Sequence, residues 1–155
     1  MNLFVQSLTF FRILAAPILF ILVAYFNFYG AALILFILAS SSDYWDGYLA
    51  RKYNLESELG AVLDPIADKI LVTFLILALA IDLSSIFIGF AGGLILVREF
   101  WVGALRDINA GEGNKEATRV TQLAKIKTTI QFITFACFLF GLFLNHALLL
   151  FISNF

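Results

Sequence analysis

Residues 43–68, DYWDGYLARKYNLESELGAVLDPIAD, form a polar stretch in a chain that is otherwise mostly Leu, Ile, Phe, Val and Ala. The stretch contains two close pairs of carboxylates, Asp43 with Asp46 and Asp64 with Asp68. Charged groups at the edge of an apolar segment are costly unless something compensates them. The fold and the function therefore both depend on what surrounds and neutralises these four aspartates.

The composition is that of a membrane protein. The chain has 155 residues, of which 62% are hydrophobic and 14% are charged, and its mean hydropathy is +0.97. Soluble domains are about half apolar and about a quarter charged. We therefore predict a single transmembrane domain over residues 1–155. The net charge of −1 gives no indication of a nucleic-acid partner.

A transmembrane helix needs about 20 predominantly apolar residues. On this basis we predict an all-α bundle of about six spans. They are separated by breaks at 27–30, in the polar stretch after Asp43, and at 82–85, 106–119 and 145–146. The predicted spans lie near residues 8–28, 30–50, 60–81, 85–105 and 122–144, with a sixth from about 147. The sixth is short, because the chain ends at Phe155.

The positions of Lys and Arg predict the orientation. Basic residues follow the second span at Arg51 and Lys52 and recur in the linker at 106–119, whereas the breaks at 27–30, 82–85 and 145–146 contain none. Such alternation is the positive-inside pattern. It predicts a multi-pass protein of the cell (inner) membrane, with the 43–68 stretch, and hence the active site, facing the cytoplasm.

The spacing of the four aspartates predicts a metal site. Residues three or four apart share one face of a helix, and the short loop between the second and third spans allows the two pairs to converge. Close carboxylates repel one another unless a cation intervenes, and their oxygens suit Mg²⁺, Mn²⁺ or Ca²⁺. Their number is sufficient for two ions. The alternative is that these acids only pair with neighbouring basic residues at the headgroup level.

The residues between the aspartates favour a phosphate ligand. Gly47 and Gly60 allow a ligand to approach the backbone, Ala50 is small, and the guanidinium of Arg51 is suited to binding phosphate. The dipeptide at 64–65 is typical either of a helix start, with Pro in the first turn, or of a kink within a helix.

The motif as a whole resembles the signature of the CDP-alcohol phosphatidyltransferase family. All eight of its fixed positions are filled at the defined spacing: Asp43, Asp46, Gly47, Ala50, Arg51, Gly60, Asp64 and Asp68. The stretches QSLTFFRILAAP (6–17), REFWVGALR (98–106) and QLAKIKTTIQF (122–132) resemble the glycerophosphate branch of that family. The chain departs from the branch at Gln6, where relatives usually have Asn, and it is shorter than they are.

The resemblance implies transfer of a phosphatidyl group from CDP-diacylglycerol to sn-glycerol 3-phosphate, with release of CMP, by a membrane-embedded homodimer. It implies two ions, Mg²⁺ or Mn²⁺, held by the four aspartates, with Asp68 also the general base. It further implies that Gly47, Ala50, Arg51 and Gly60 bind CDP-diacylglycerol.

A glycerol 3-phosphate dianion needs a second cationic site. The candidates are Arg98, Arg106, Lys125 and Lys127. The alternatives are an ion pair within the bundle for Arg98, an orientation signal for Arg106, and snorkelling for the two lysines. Other acceptors within the family, such as inositol phosphate, serine or a phospholipid, remain open. A divalent-cation transporter is a remote alternative, because its site would be expected near the membrane midplane.

Overall fold

A computed structural model describes the backbone of residues 2–53, 58–111 and 122–153, and the side chains of residues 7–42, 63–106, 108–109 and 126–148. These residues form five helices and no strand. The helices are α1 Asn2–Ala24, α2 Tyr29–Tyr53, α3 Glu58–Asp82, α4 Ile86–Gly111 and α5 Gln122–Ser153. The predicted all-helical membrane class is therefore confirmed.

Several helices are apolar enough to cross a membrane. Stretches of sufficient length and hydropathy lie at Ser7–Ala24, Ile86–Arg106 and Ile126–Leu148, and Tyr29–Ser42 is a shorter apolar helix. The outer face of α4 carries large exposed apolar side chains, including Phe87 and Trp101. In a lipid environment such a face needs no protein partner.

The predicted breaks after the first and third spans are confirmed. Helix α1 ends at a turn over residues 25–28, and α3 ends at a turn over residues 83–85. Asn27 has a φ of 55° and Ser84 a φ of 46°. A left-handed residue cannot continue a right-handed helix, and Asn adopts this conformation more readily than most residues.

The predicted break at residues 145–146 is wrong. Helix α5 runs without interruption through Asn145 and His146, so the predicted sixth span is the C-terminal part of α5. Neither residue breaks a helix as Pro does, since each is less than about 1 kcal/mol less favourable than Ala in a helix interior. The ring of His146 packs edge-on against Tyr29 of α2, with centroids 5.6 Å apart.

Helix α1 lies at the centre of the bundle. It packs against α2 and α3, while α5 packs on α2 and α4 packs on α3. The buried core includes Leu19 of α1, Phe36 of α2, Leu75 of α3 and Leu139 of α5. Because α4 and α5 rest on different helices, a cleft remains between them at one end of the bundle.

Helices α3 and α4 approach closely at Gly92. A Cβ atom added there would lie 2.2 Å from Ile76 Cγ2, so only glycine permits this packing. On the same helix α3, Pro65 lies in the interior rather than in the first turn. The helix therefore does not begin at Asp64. Of the two predicted alternatives, the one with Pro65 within a helix is correct.

Candidate active site

Asp64 and Asp68 of α3 are both hydrogen-bonded to α1. Thr9 Oγ1 donates to Asp64 Oδ1 at 2.7 Å. Arg12 Nη1 donates to Asp68 Oδ1 at 2.6 Å, and Arg12 Nη2 donates to Asp64 Oδ1 at 3.4 Å. Residues three or four apart share a helix face, so one face of α1 supplies the donors and one face of α3 supplies the acceptors.

The three charges in this group differ in burial. The Arg12 side chain is fully buried, whereas those of Asp64 and Asp68 are 34% and 33% exposed. A buried guanidinium is tolerated only when it is paired, and here two carboxylates face it. The group therefore carries a formal charge of −1, and its anionic part is the accessible part.

The accessible carboxylates of Asp64 and Asp68 fit a divalent cation. A carboxylate has about four lone-pair positions, and the bonds from Thr9 and Arg12 to Asp64 both end on Oδ1, so Oδ2 of Asp64 can accept an ion. Carboxylate oxygens are the ligands that Mg²⁺ and Mn²⁺ prefer. Among the residues whose side chains the structure describes, no group of three or more His, Cys, Asp or Glu lies together.

The other predicted ligands lie on α2. Asp43 and Asp46 are both within this helix, as the spacing predicts, but their side chains lie outside the described residues. The same holds for the surroundings of the predicted donor-binding residues Gly47, Ala50, Arg51 and Gly60. The convergence of all four aspartates therefore stays a prediction.

A second feature is a cleft of about 310 Å³ between α3, α4 and α5. Its lining contains Asp68 and three of the four predicted acceptor-site residues, namely Arg98, Arg106 and Lys127. The side chain of the fourth, Lys125, is not among those described. The structure thus brings the carboxylate predicted to act as base to the edge of the predicted cationic site.

Glu99 organises part of the cationic lining. Arg98 Nη1 lies 3.3 Å from Glu99 Oε1, and Lys127 Nζ contacts the same oxygen. Arg98 is 55% exposed and Lys127 is 31% exposed. The ion pair expected as the alternative for Arg98 therefore exists, but both cations still line the cleft.

The lining carries a net positive charge. Of the side chains that the structure describes, the lining has the cations Lys69, Arg98, Arg106 and Lys127 and the carboxylates Asp68 and Glu99. Four positive and two negative groups give a formal charge of +2, which matches a phosphate monoester dianion.

Three residues of the site were missed from the sequence: Thr9, Arg12 and Lys69. Thr9 lies outside the 43–68 motif, and Lys69 is one of the basic residues that could pair with the acids at the headgroup level. Arg12 lies between apolar residues, and a charged residue within an apolar span is a functional candidate. That signal was available in the sequence.

The model of the CDP-alcohol phosphatidyltransferase family matches residues 4–154 of the chain. The chain belongs to this family. Members of the CDP-alcohol phosphatidyltransferase family are phosphatidyltransferase enzymes and are generally metal-dependent. The family assignment agrees with the resemblance found in the 43–68 stretch.

Several similar bacterial proteins carry the name CDP-diacylglycerol–glycerol-3-phosphate 3-phosphatidyltransferase. One from Cereibacter sphaeroides is 41% identical over 151 residues, which cover 90% of this chain and 64% of that protein. One from Escherichia coli is 35% identical over 133 residues, covering 83% and 72%. One from Wigglesworthia glossinidia brevipalpis is 37% identical over 129 residues, covering 81% and 70%. The chain thus spans about two thirds of the length of these family members.

Proposed function

We propose that this protein transfers the phosphatidyl group of CDP-diacylglycerol to sn-glycerol 3-phosphate and releases CMP. The observation that carries the proposal is the cleft in which Asp68 borders a lining whose described side chains carry a formal charge of +2. A small acceptor with a phosphate dianion is complementary to such a cleft, and its free hydroxyl would lie toward the carboxylate. The names of the similar proteins support the same acceptor.

The reaction forms one bond and breaks another. The acceptor hydroxyl oxygen forms a bond to the β-phosphorus of the donor, and the bond between that phosphorus and the CMP oxygen breaks. The hydroxyl proton passes to a carboxylate oxygen of Asp68. Arg12 and Thr9 hold Asp68 and Asp64 in fixed positions, and such positioning contributes to the rate because the groups do not have to reorganise.

In this proposal the donor, CDP-diacylglycerol, binds to residues of the 43–68 stretch. Gly47, Ala50, Arg51 and Gly60 bind the cytidine and pyrophosphate groups. Asp43, Asp46, Asp64 and Asp68 would hold two ions, Mg²⁺ or Mn²⁺. When bound, these ions would neutralise the pyrophosphate and the departing CMP.

The cellular setting follows from the same arrangement. We place the chain in the inner membrane, with the site facing the cytoplasm. There the water-soluble substrate, glycerol 3-phosphate, is available, and the water-soluble product, CMP, is released. The predicted homodimer rests on the resemblance alone. A divalent-cation transporter is disfavoured, because its site would be expected near the membrane midplane, whereas the four aspartates are predicted to lie toward the cytoplasmic side.

The test is an acceptor comparison with purified protein in detergent, CDP-diacylglycerol and Mg²⁺. We expect lipid product and CMP in equal amounts with glycerol 3-phosphate, and little product with serine, inositol, inositol phosphate or phosphatidylglycerol. The Asp68→Asn variant serves as the inactive control. A preference for an uncharged acceptor would contradict the assignment of the cleft.

A further inference from the structure

Lys69 occupies a position in the cleft that the sequence analysis did not assign. It follows Asp68 on α3 and lines the same cleft as Arg106. A Cβ atom added at Gly103 of α4 would lie 2.6 Å from Lys69 Nζ and 3.6 Å from its Cε. The end of the lysine side chain therefore rests on α4 at a point where the backbone carries no side chain.

The surroundings of Lys69 leave its charge available. Its Nζ lies 5.2 Å from the centroid of the Phe100 ring, and the residue also borders an apolar groove lined in part by Ile66 and Ile70. The methylene stem can thus pack on apolar surface while the charged end faces the cleft. Unlike Arg98 and Lys127, Lys69 makes no ion pair with any residue that the structure describes.

We propose that Lys69 contacts the phosphate of the acceptor, and that Gly103 is needed to seat its ammonium group. This inference rests on the proposed function. Its ligand is a phosphate monoester, and the same chemistry is offered by the donor's pyrophosphate. The acceptor is favoured because Lys69 shares its cleft with Arg98, Arg106 and Lys127.

Gly103→Ala tests whether Lys69 needs the space beside Gly103, without changing any charge. The added methyl group meets only the flexible end of Lys69, so the helix can remain intact while the ammonium group moves. Gly93→Ala is the matched control on the same helix, because an added Cβ there meets no atom within 4 Å. Lys69→Gln removes the charge itself.

The readout is the KM for each substrate, varied in turn. Loss of a hydrogen bond to a charged group costs about 1.5–3 kcal/mol, so we expect Lys69→Gln to raise the KM for glycerol 3-phosphate roughly 10- to 150-fold. Gly103→Ala should raise the same KM, and Gly93→Ala should not. None of the three should change the KM for CDP-diacylglycerol. In the Lys69→Gln background, Gly103→Ala should add no further effect.

The outcomes separate this inference from the proposed function. A wild-type protein that does not use glycerol 3-phosphate overturns the proposed function. An independent experiment measures the midpoint of thermal unfolding of the purified protein with and without inorganic phosphate. Phosphate should raise the midpoint of the wild type and should not raise that of Lys69→Gln. Equal stabilisation of both, an effect on the donor KM, or an undiminished Gly103→Ala effect without Lys69 would each overturn the role of Lys69.

Discussion

Arg12 joins two carboxylates that belong to the signature of the family. Its guanidinium is fully buried and contacts both Asp64 and Asp68. Arginine suits this position because its planar group presents several donors in a fixed geometry, whereas the ammonium of lysine is a compact point charge. In the proposed mechanism Arg12 is therefore a positioning residue, since it would act on the reaction through the two aspartates.

We expect Arg12→Gln to lower kcat about 100-fold. The change removes charge-assisted bonds to two carboxylates, and about 3 kcal/mol lost from their positioning corresponds to a factor of roughly 100. The kcat of Arg12→Lys should lie between those of wild type and Arg12→Gln. Lysine keeps the positive charge but lacks the planar set of donors of the guanidinium. Initial rates at saturating substrates and increasing Mg²⁺ measure the effect, with thermal unfolding as a check of the fold. A normal kcat for Arg12→Gln would rule out the positioning role.

Replacement of a signature aspartate by asparagine should abolish transfer. Asp64→Asn, Asp43→Asn and Asp46→Asn each remove a charge needed for the proposed ions and keep the side-chain shape, so the protein should remain in the membrane. Asp82→Asn is the matched control, because Asp82 also lies on α3 but accepts a hydrogen bond from Tyr29 at 2.9 Å. Product formation at saturating Mg²⁺ is the measurement. Near-normal rates for all three signature variants would refute the metal site.

Helix boundaries were predictable where the backbone leaves the helical conformation. The breaks at Asn27 and Ser84 coincide with left-handed residues. In the sequence, Asn27 is followed by Gly30, and Ser84 lies between Asp82 and Ser85. The break expected at residues 145–146 rested on polarity alone, and polarity does not interrupt backbone hydrogen bonding. Helix α5, with 32 residues, is about 48 Å long and so extends beyond a hydrocarbon core of about 30 Å.

The site was only partly predictable for a related reason. The aspartate spacing is visible within single helices, and Asp64 and Asp68 do share a face of α3. The bond from Arg12 to Asp68 joins residues 56 positions apart, and no local pattern encodes which faces of α1 and α3 meet. Lys69 was missed because its place in the cleft depends on the absence of a side chain at Gly103 of another helix.

The contact between α3 and α4 should depend on Gly92. A side chain there collides with Ile76, and overpacking of a well-packed interface costs about 1–3 kcal/mol. We therefore expect Gly92→Val to lower the midpoint of thermal unfolding in detergent and to raise the KM for the acceptor, because α4 carries one wall of the cleft. Gly93→Val is the control for the loss of glycine in a helix.

A second substitution checks the cause. Ile76→Ala removes Cγ2, which would lie 2.2 Å from an added Cβ at position 92, and Cδ1, and keeps only Cβ at 3.3 Å. It should therefore restore part of the stability in the double variant. If Gly92→Val and Gly93→Val have the same effect, the close approach of α3 and α4 at Gly92 is not what stabilises this part of the bundle.

The two ends of the whole molecule are chemically different. Asp64 and Asp68 lie in the N-terminal half of α3, with the cationic cleft beside them. Asp82 ends the same helix 14 residues after Asp68, a distance of about 21 Å along the axis, and there it binds Tyr29. The turns at that second end contain no Lys or Arg. The bundle is thus polarised, as expected of a protein with one orientation in the membrane.

This polarity predicts which positions a membrane-impermeant thiol reagent can reach. Tyr25, in the turn after α1, is 78% exposed, and Ile108, beyond the apolar part of α4, is 59% exposed. The exposed Cys137 is first replaced by Ala so that it does not react. In spheroplasts of a bacterium that expresses the protein, Tyr25→Cys should be labelled, and Ile108→Cys should be labelled only after the inner membrane is permeabilised. The reason is that Lys and Arg residues are retained on the cytoplasmic side, where the anionic leaflet and the translocation process favour them. Labelling of Ile108→Cys in sealed spheroplasts, with protection of Tyr25→Cys, would reverse the orientation and place the cleft away from its water-soluble substrate.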